Sequence, residues 1–254
     1  MKSNPDGKIG GDLDLKDRNE KIRAALALVK QAGISEVLRY HIAHLPADIR
    51  GHFIDLGLAT TDVLVFFLNA GGEFWLQLEE NEIRQGWAFD RKSFRLIQRF
   101  ANLLEAPVKP RVLYPGDSPV PLAGLLDCAG FAMASRLGLA IHPEFGTWFA
   151  VRALFSLPVQ LPLSRQQESV DVCGHCLTRD CVAACPAGAV SPTAAFDLDA
   201  CANFRLREKS SCADSCIARR RCPIGAQYRY PLQQSVYHAA NSLAAIRRYR
   251  MMEQ

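Results

Sequence analysis

Eight of the nine cysteines lie between residues 173 and 222, in two groups of four. The first runs Cys173-Gly-His-Cys176-Leu-Thr-Arg-Asp-Cys181-Val-Ala-Ala-Cys185-Pro, a spacing of C-x2-C-x4-C-x3-C-P. The second is Cys201, Cys212, Cys216 and Cys222-Pro, a spacing of C-x10-C-x3-C-x5-C-P. Two four-cysteine groups that each end in Cys-Pro are the mark of a two-cluster iron–sulfur module. A four-iron cubane needs four thiolates converging on one small volume. Three near cysteines supply three of them, and the fourth is the Cys-Pro cysteine of the other group. One cluster is therefore assigned to Cys173, Cys176, Cys181 and Cys222. The second falls to Cys185, Cys201, Cys212 and Cys216. The alternative is a pair of zinc ions, each ringed by four thiolates. Zinc ribbons favour two C-x2-C pairs, and only Cys173–Cys176 has that form. Cys128 stands apart in an apolar stretch and reads as a small core residue. His175, between two cluster cysteines, reads as a solvent-facing loop residue.

These ligands sit in a stretch of about fifty residues with few large apolar side chains. Burial alone cannot stabilise so small a module, so an inorganic cross-link is expected. The elements before it have a different character. Ile22, Ala25, Leu26 and Val29 recur at helical spacing from Asn19 to Ala32, with Gly33 as a stop. Residues 61–69, TDVLVFFLN, are apolar and β-favouring and predict a buried strand, with Trp75 and Leu76 in a neighbouring one. Phe94, Ile97, Phe100, Ala101 and Leu104 mark a second helix, ended by Pro107 and Pro110. Arg111 to Tyr114, Leu139 to His142 and Trp148 to Leu157 read as strands, and Leu122 to about Leu137 as a helix. A last helix is predicted from Gln233 to about Arg250, with Val236, Ala239, Ala240, Leu243 and Ile246 on one side. The fold class is α+β: a mixed α/β sandwich-type N-terminal domain, a two-cluster ferredoxin-like module, and a C-terminal helix. The expected divisions are a mobile arm over 1–18, a domain over 19–163, the cluster module over 170–225 and a basic C-terminal helix over 226–254.

The stretch from Asp117 to the cysteines resembles a known family. Asp117-Ser-Pro, Ala129-Gly130, Leu139-Ala-Ile-His-Pro-Glu-Phe-Gly-Thr-Trp-Phe149 and Leu157-Pro-Val-Gln-Leu-Pro162 lead in order into the two groups. That order looks like epoxyqueuosine reductase, a cobalamin-dependent iron–sulfur enzyme related to reductive dehalogenases. Cys201 matches the family's lone cluster cysteine. Phe131-Ala-Met-Ala-Ser-Arg136 replaces the family's Gly-Trp-x-Gly-Lys signature. The resemblance implies a corrinoid held by the N-terminal domain, with electrons reaching its cobalt through the clusters. It implies Asp117 as the catalytic proton donor and His142 as a cofactor-binding residue. The residues themselves leave a turn role open for Asp117 and a structural role open for His142.

Composition and charge narrow the function classes. Apolar residues are 49% and charged residues 22% of the 254, which excludes wholesale disorder. No run of 18 apolar residues exists, and the first residues carry no apolar signal core. A cytoplasmic protein without a membrane partner is expected, with its thiols kept for metal or redox chemistry. Residues 201–254 carry ten Lys/Arg against three acids, net +7, while residues 1–200 carry twenty against twenty-three. Arg205, Arg207, Lys209, Arg219, Arg220, Arg221 and Arg229 surround the second cysteine group. They suit either of two partners. One is an acidic electron donor of flavodoxin or ferredoxin type. The other is RNA, with tRNA implied by the resemblance. Three functions stay in view: an iron–sulfur oxidoreductase, a non-catalytic electron carrier or corrinoid-handling protein, and an RNA-docking protein with structural clusters.

Overall fold

The structure is a computed structural model that describes residues 10–106, 109–131, 135–165 and 167–252. The chain divides into two compact units. One comprises residues 1–69, 77–120 and 151–164, and the other residues 70–76, 121–150 and 165–254.

In the first unit, helix α1 (Gly10–Gln31) buries Ile22, Ala25 and Val29, the i, i+3, i+7 face expected from the sequence. Gly33 closes it, and the Ile34 N–H returns to the Val29 carbonyl. The helix reaches back to Gly10, so part of the expected arm is helical; residues 1–9 lie outside the described residues. An Asp17–Lys21 pair one turn apart supports the extension, and Arg18 donates to Gln160.

Strands β1 (Glu36–His41), β2 (Val63–Ala70), β3 (Arg111–Tyr114) and β4 (Phe149–Leu157) form a sheet in the order β1-β2-β4-β3. β1 pairs antiparallel with β2, and β3 with β4. β2 is buried at all eight positions, as its unbroken apolar run requires of a strand covered on both faces. Helix α2 (Ala47–Asp55) follows β1, and α3 (Glu80–Arg84) precedes α4 (Ala88–Leu103). α4 turns Ala88, Phe89, Lys92, Ser93, Leu96, Ile97, Phe100 and Ala101 inward, and packs against α1. Phe67, Phe100 and Phe155 meet edge to face at 5.1–6.0 Å and knit helix to sheet.

In the second unit, α5 spans Leu122–Cys128 and stops well short of Leu137. Gly130, at φ +83°, ends it: the Gly130 and Phe131 N–H groups return to the Asp127 and Leu126 carbonyls. A Cβ at Gly130 would lie 2.7 Å from Gln167. Trp75 and Leu76 form a 3-10 turn, Trp75–Gln77, separated by two residues from the Gly71-Gly72 pair, and no strand. Leu139 to His142 is no strand either; His142 forms an isolated bridge with Gly146, which folds the segment on itself.

The cysteine-rich stretch holds three short helices: α6 (Asp180–Ala183), α7 (Leu198–Leu206) and α8 (Ile217–Arg221). Helix α9 (Leu232–Met252) packs on α7. It buries Gln234, Ser235, Ala239 and Leu243, so the expected face is turned and leaves Val236 exposed. No described helix is long and apolar enough to cross a membrane.

Candidate metal centre

Local geometry sets each cysteine. The Asp171 carboxylate accepts the Gly174 N–H at 2.7 Å, and the Cys176 N–H returns to the Cys173 carbonyl, tightening the first loop. Cys181 is buried in α6. The Asp197 carboxylate caps α7 by accepting the Ala200 N–H at 2.8 Å, and α7 carries Cys201. Cys216 caps α8, its sulfur accepting the Arg219 N–H at 3.4 Å. Cys222 closes α8, and the Ile224 N–H bonds to its sulfur.

Cys222-Pro-Ile-Gly225 is pressed against Phe145-Gly146. Both glycines are left-handed, at φ +68° and +59°. A Cβ on Gly225 would run into the Phe145 carbonyl, and one on Gly146 into that of Ile224. Only glycine permits this backbone approach, which fixes the turn after Cys222.

The thiols sort themselves by whom they perturb. Burial pushes the Cys181 thiol up, and Cys222, Cys173 and Cys176 push it further. Burial likewise raises Cys222, with Cys173 and Cys176 adding to it. Cys201 is raised by burial, then by Cys216, Cys185 and Cys212. Cys216 opens to solvent through a cavity, yet the surrounding protein raises its thiol, and Cys212 and Cys185 contribute. The mutual influences thus run among Cys173, Cys176, Cys181 and Cys222, and separately among Cys185, Cys201, Cys212 and Cys216.

Among the described residues, no three His, Cys, Asp or Glu side chains are gathered to hold a metal ion. A zinc tetrahedron at ordinary Zn–S length would hold its sulfurs about 3.8 Å apart. A cubane interposes four irons and sets its thiolates wider. Four cysteine donors in each proposed set suit an iron–sulfur core by their chemistry. As thiolates the four sulfurs of a set would repel one another, and a cationic core would offset that charge. N–H···S bonds from Arg219 and Ile224 would tune such a core. Arg205 and Arg229 act on Cys201 and Cys222 in the opposite sense to their thiol neighbours.

A mainly apolar cavity of about 500 Å³ adjoins the second set. Cys185, Cys201, Cys212 and Cys216 line it, with Trp148 and Phe196. Arg219 braces this side, its Nε donating to Thr147 Oγ1 at 3.2 Å and its Nη2 to the Thr147 carbonyl. The guanidinium lies 4.2 Å from the Trp148 ring centre and 5.1 Å from that of Tyr230. In the sequence Arg219 groups with Arg220 and Arg221 as positive charge around the second cysteine set. The available signal was its place three residues after Cys216, which turns it inward from a helix start.

Asp117 is exposed and lines an open recess of the first unit with Trp87, Asp90, Phe94 and Tyr114. Burial raises the Asp90 carboxyl, opposed by Arg152, and raises the Tyr114 phenol. His142 belongs to the second unit. Its Nδ1 accepts the Glu144 and Phe145 N–H groups, both at 3.1 Å, so the proton sits on Nε2. The ring stacks on Phe145 at 4.2 Å, and burial lowers its pKa. Those bonds give His142 a structural task in the turn that receives Gly225. Cys128 is half-buried at the end of α5, and His175 is exposed with Nδ1 at 2.7 Å from the Asp171 carbonyl.

The chain is α+β, and eight of its cysteines fall in two groups of four along the sequence. No protein-family model and no curated protein sequence matches the chain. Solved structures do. Epoxyqueuosine reductase from Bacillus subtilis, with its catalytic loop swung out of the active site, has a TM-score of 0.52 at 13% identity. The match covers 86% of this chain and 68% of that one. Epoxyqueuosine reductase with an epoxyqueuosine-modified tRNA-Tyr stem loop has a TM-score of 0.50 at 12% identity, covering 87% and 69%. The B12-trafficking protein CblC from C. elegans has 0.49 at 13%, covering 88% and 92%. The chain has the fold of the epoxyqueuosine reductases, as the order of its motifs predicted.

Proposed function

We propose that this chain is a cytoplasmic iron–sulfur redox protein of epoxyqueuosine reductase type. Cys173, Cys176, Cys181 and Cys222 hold one 4Fe–4S cluster, and Cys185, Cys201, Cys212 and Cys216 the other. The observation that carries this reading is the sorting of eight thiols into two interlaced sets of four. When bound, such clusters take up and release single electrons near the thiolates that hold them. The chain's own residues wrap those sulfurs, donate N–H bonds to two of them and place arginines nearby. The family resemblance of the motifs between Asp117 and Pro162 implies a cobalamin acceptor held by the N-terminal part, residues 19–163. Asp117 is the proposed proton donor. His142 is proposed at the cofactor pocket, through the Phe145 turn it holds. The ferredoxin-like module over 170–225 and the basic helix over 226–254 complete the proposed organisation.

The exposure of Asp117 favours a second reading. A proton donor works best where burial tunes its pKa, and an exposed carboxyl suits a carrier or corrinoid-handling protein with no turnover of its own. Anaerobic purification with iron, sulfide and cobalt analysis tests the core claim. About eight irons per chain and a reduced-cluster paramagnetic signal after dithionite are expected. A colourless, zinc-filled protein would refute it. Cob(II)alamin titration should perturb the corrinoid spectrum under both readings. Reductant consumption that depends on an epoxide-bearing RNA separates enzyme from carrier.

A further inference from the structure

The arginine triplet divides at α8. Arg219 turns inward onto Thr147, Trp148 and Tyr230. Arg220 and Arg221 stay exposed and join Arg229 in a shallow recess of the second unit. Three guanidiniums face one carboxylate there, that of Asp180. Among the described residues, none of the three arginines has an ion-pair partner. No structural task accounts for the charge of Arg220 and Arg221.

The position of the recess adds the second observation. Its lining residues Asp180, Pro223 and Ile217 are the chain neighbours of Cys181, Cys222 and Cys216. Arg229 Nη2 also donates to the Cys222 carbonyl at 3.3 Å. Solvent at this recess is one residue away, along the chain, from ligands of both sets. Electron transfer falls off steeply with distance, so a carrier seated here would be well placed. The recess lacks the stacking surface that RNA bases would use. No aromatic side chain lines it. Tyr228 donates its hydroxyl to Glu144, and Tyr230 is buried. Unpaired bases would therefore find no stacking platform.

We propose that this recess is the docking surface of a small acidic one-electron carrier protein, which reduces the chain through the Cys173, Cys176, Cys181 and Cys222 cluster. The inference rests on the cluster reading. One electron leaves the carrier's reduced flavin or iron–sulfur centre and one enters the cluster, with no bond made or broken and no proton needed. Opposite charge speeds the encounter and orients it.

The test uses the full, anaerobically purified chain and two probes, a bacterial flavodoxin in its hydroquinone state and a reduced acidic ferredoxin. Stopped-flow reduction by at least one of them should slow steeply with added salt. R220E/R221E should slow it about tenfold or more at low salt, and should weaken binding of the oxidised carrier in calorimetry. Reduction by dithionite, iron content and the paramagnetic spectrum should stay as in the parent, and R99E, a change in the first unit, should alter nothing. Unchanged carrier kinetics in R220E/R221E would overturn the proposal. So would a parent chain that oxidises neither carrier, or a charge reversal that abolishes binding of an RNA stem loop and spares the carrier. An iron-free parent instead overturns the cluster reading and this proposal with it.

Discussion

Cys222 joins the two halves of the cysteine pattern. It is last in sequence, yet its thiol is raised by burial and then by Cys173 and Cys176, nearly fifty residues earlier. Crossed wiring makes a specific expectation for Ser variants. Cys181→Ser and Cys222→Ser should lose the same paramagnetic signal, whereas Cys185→Ser and Cys201→Ser should share a different loss. Each variant should retain about four of about eight irons. A common defect in Cys181→Ser and Cys185→Ser would mean that each cluster uses one sequence group alone. Lys92 makes an independent test in the first unit. Burial, then Arg152 and Arg95, lowers its ammonium to about 8, and Nζ donates to Gln77 at 3.4 Å. Between pH 8 and the ordinary lysine range the unfolded chain binds more protons than the folded one, so stability rises with pH there. Below that window the buried charge is a full penalty. Lys92→Met should stabilise the folded chain against urea at pH 7 by about 1–2 kcal/mol, with the gain shrinking as pH approaches 10.

Short helices and one glycine contact hold the thiols. α7 depends on its Asp197 cap, and removing a cap of this kind costs about 1 kcal/mol. Asp197→Ala should therefore lower the unfolding midpoint slightly and make the Cys201 set the more readily chelated one. Gly225→Ala is harsher. It adds a Cβ to a left-handed residue already against the Phe145 backbone, so a loss of about 2–3 kcal/mol is expected. Iron retention at the Cys222 set should fall with it. Gly188 is also left-handed, but nothing lies within 4 Å of its added Cβ. Gly188→Ala should consequently do less harm than Gly225→Ala in the same denaturation assay. Periodicity exposed the buried faces of α1 and α4 because helix period and burial are local. It failed for α5, which stops at the left-handed Gly130, where Gln167, distant in sequence, leaves no room for a side chain.

Contacts rather than chain order define the units. The cysteine-rich stretch is grouped with residues 70–76 and 121–150. Thr147 and Trp148 hold Arg219, and Phe145-Gly146 receives Gly225. A fragment of residues 165–254 lacks all four. Reconstituted with iron and sulfide, it should show little helical circular dichroism and bind less than about one iron per chain. A folded, fully loaded fragment would show that the cysteines need no help from 121–150. In the whole chain, chelation should unfold the cysteine-rich stretch, since its three short helices bury little apolar surface of their own.

The sequence by itself determined which atoms are available for chemistry: eight cysteines in two spaced groups, each closed by Cys-Pro, and an excess of positive charge after residue 200. It also determined the apolar run of β2 and the inward faces of α1 and α4, because these depend on side chains a few residues apart. Only the tertiary structure decided that Arg219 points inward while Arg220 and Arg221 remain exposed, that His142 holds a turn, and that Phe145-Gly146 seats the Cys222 loop. Each of those outcomes depends on backbone and side chains brought together from distant parts of the chain, which no local spacing encodes.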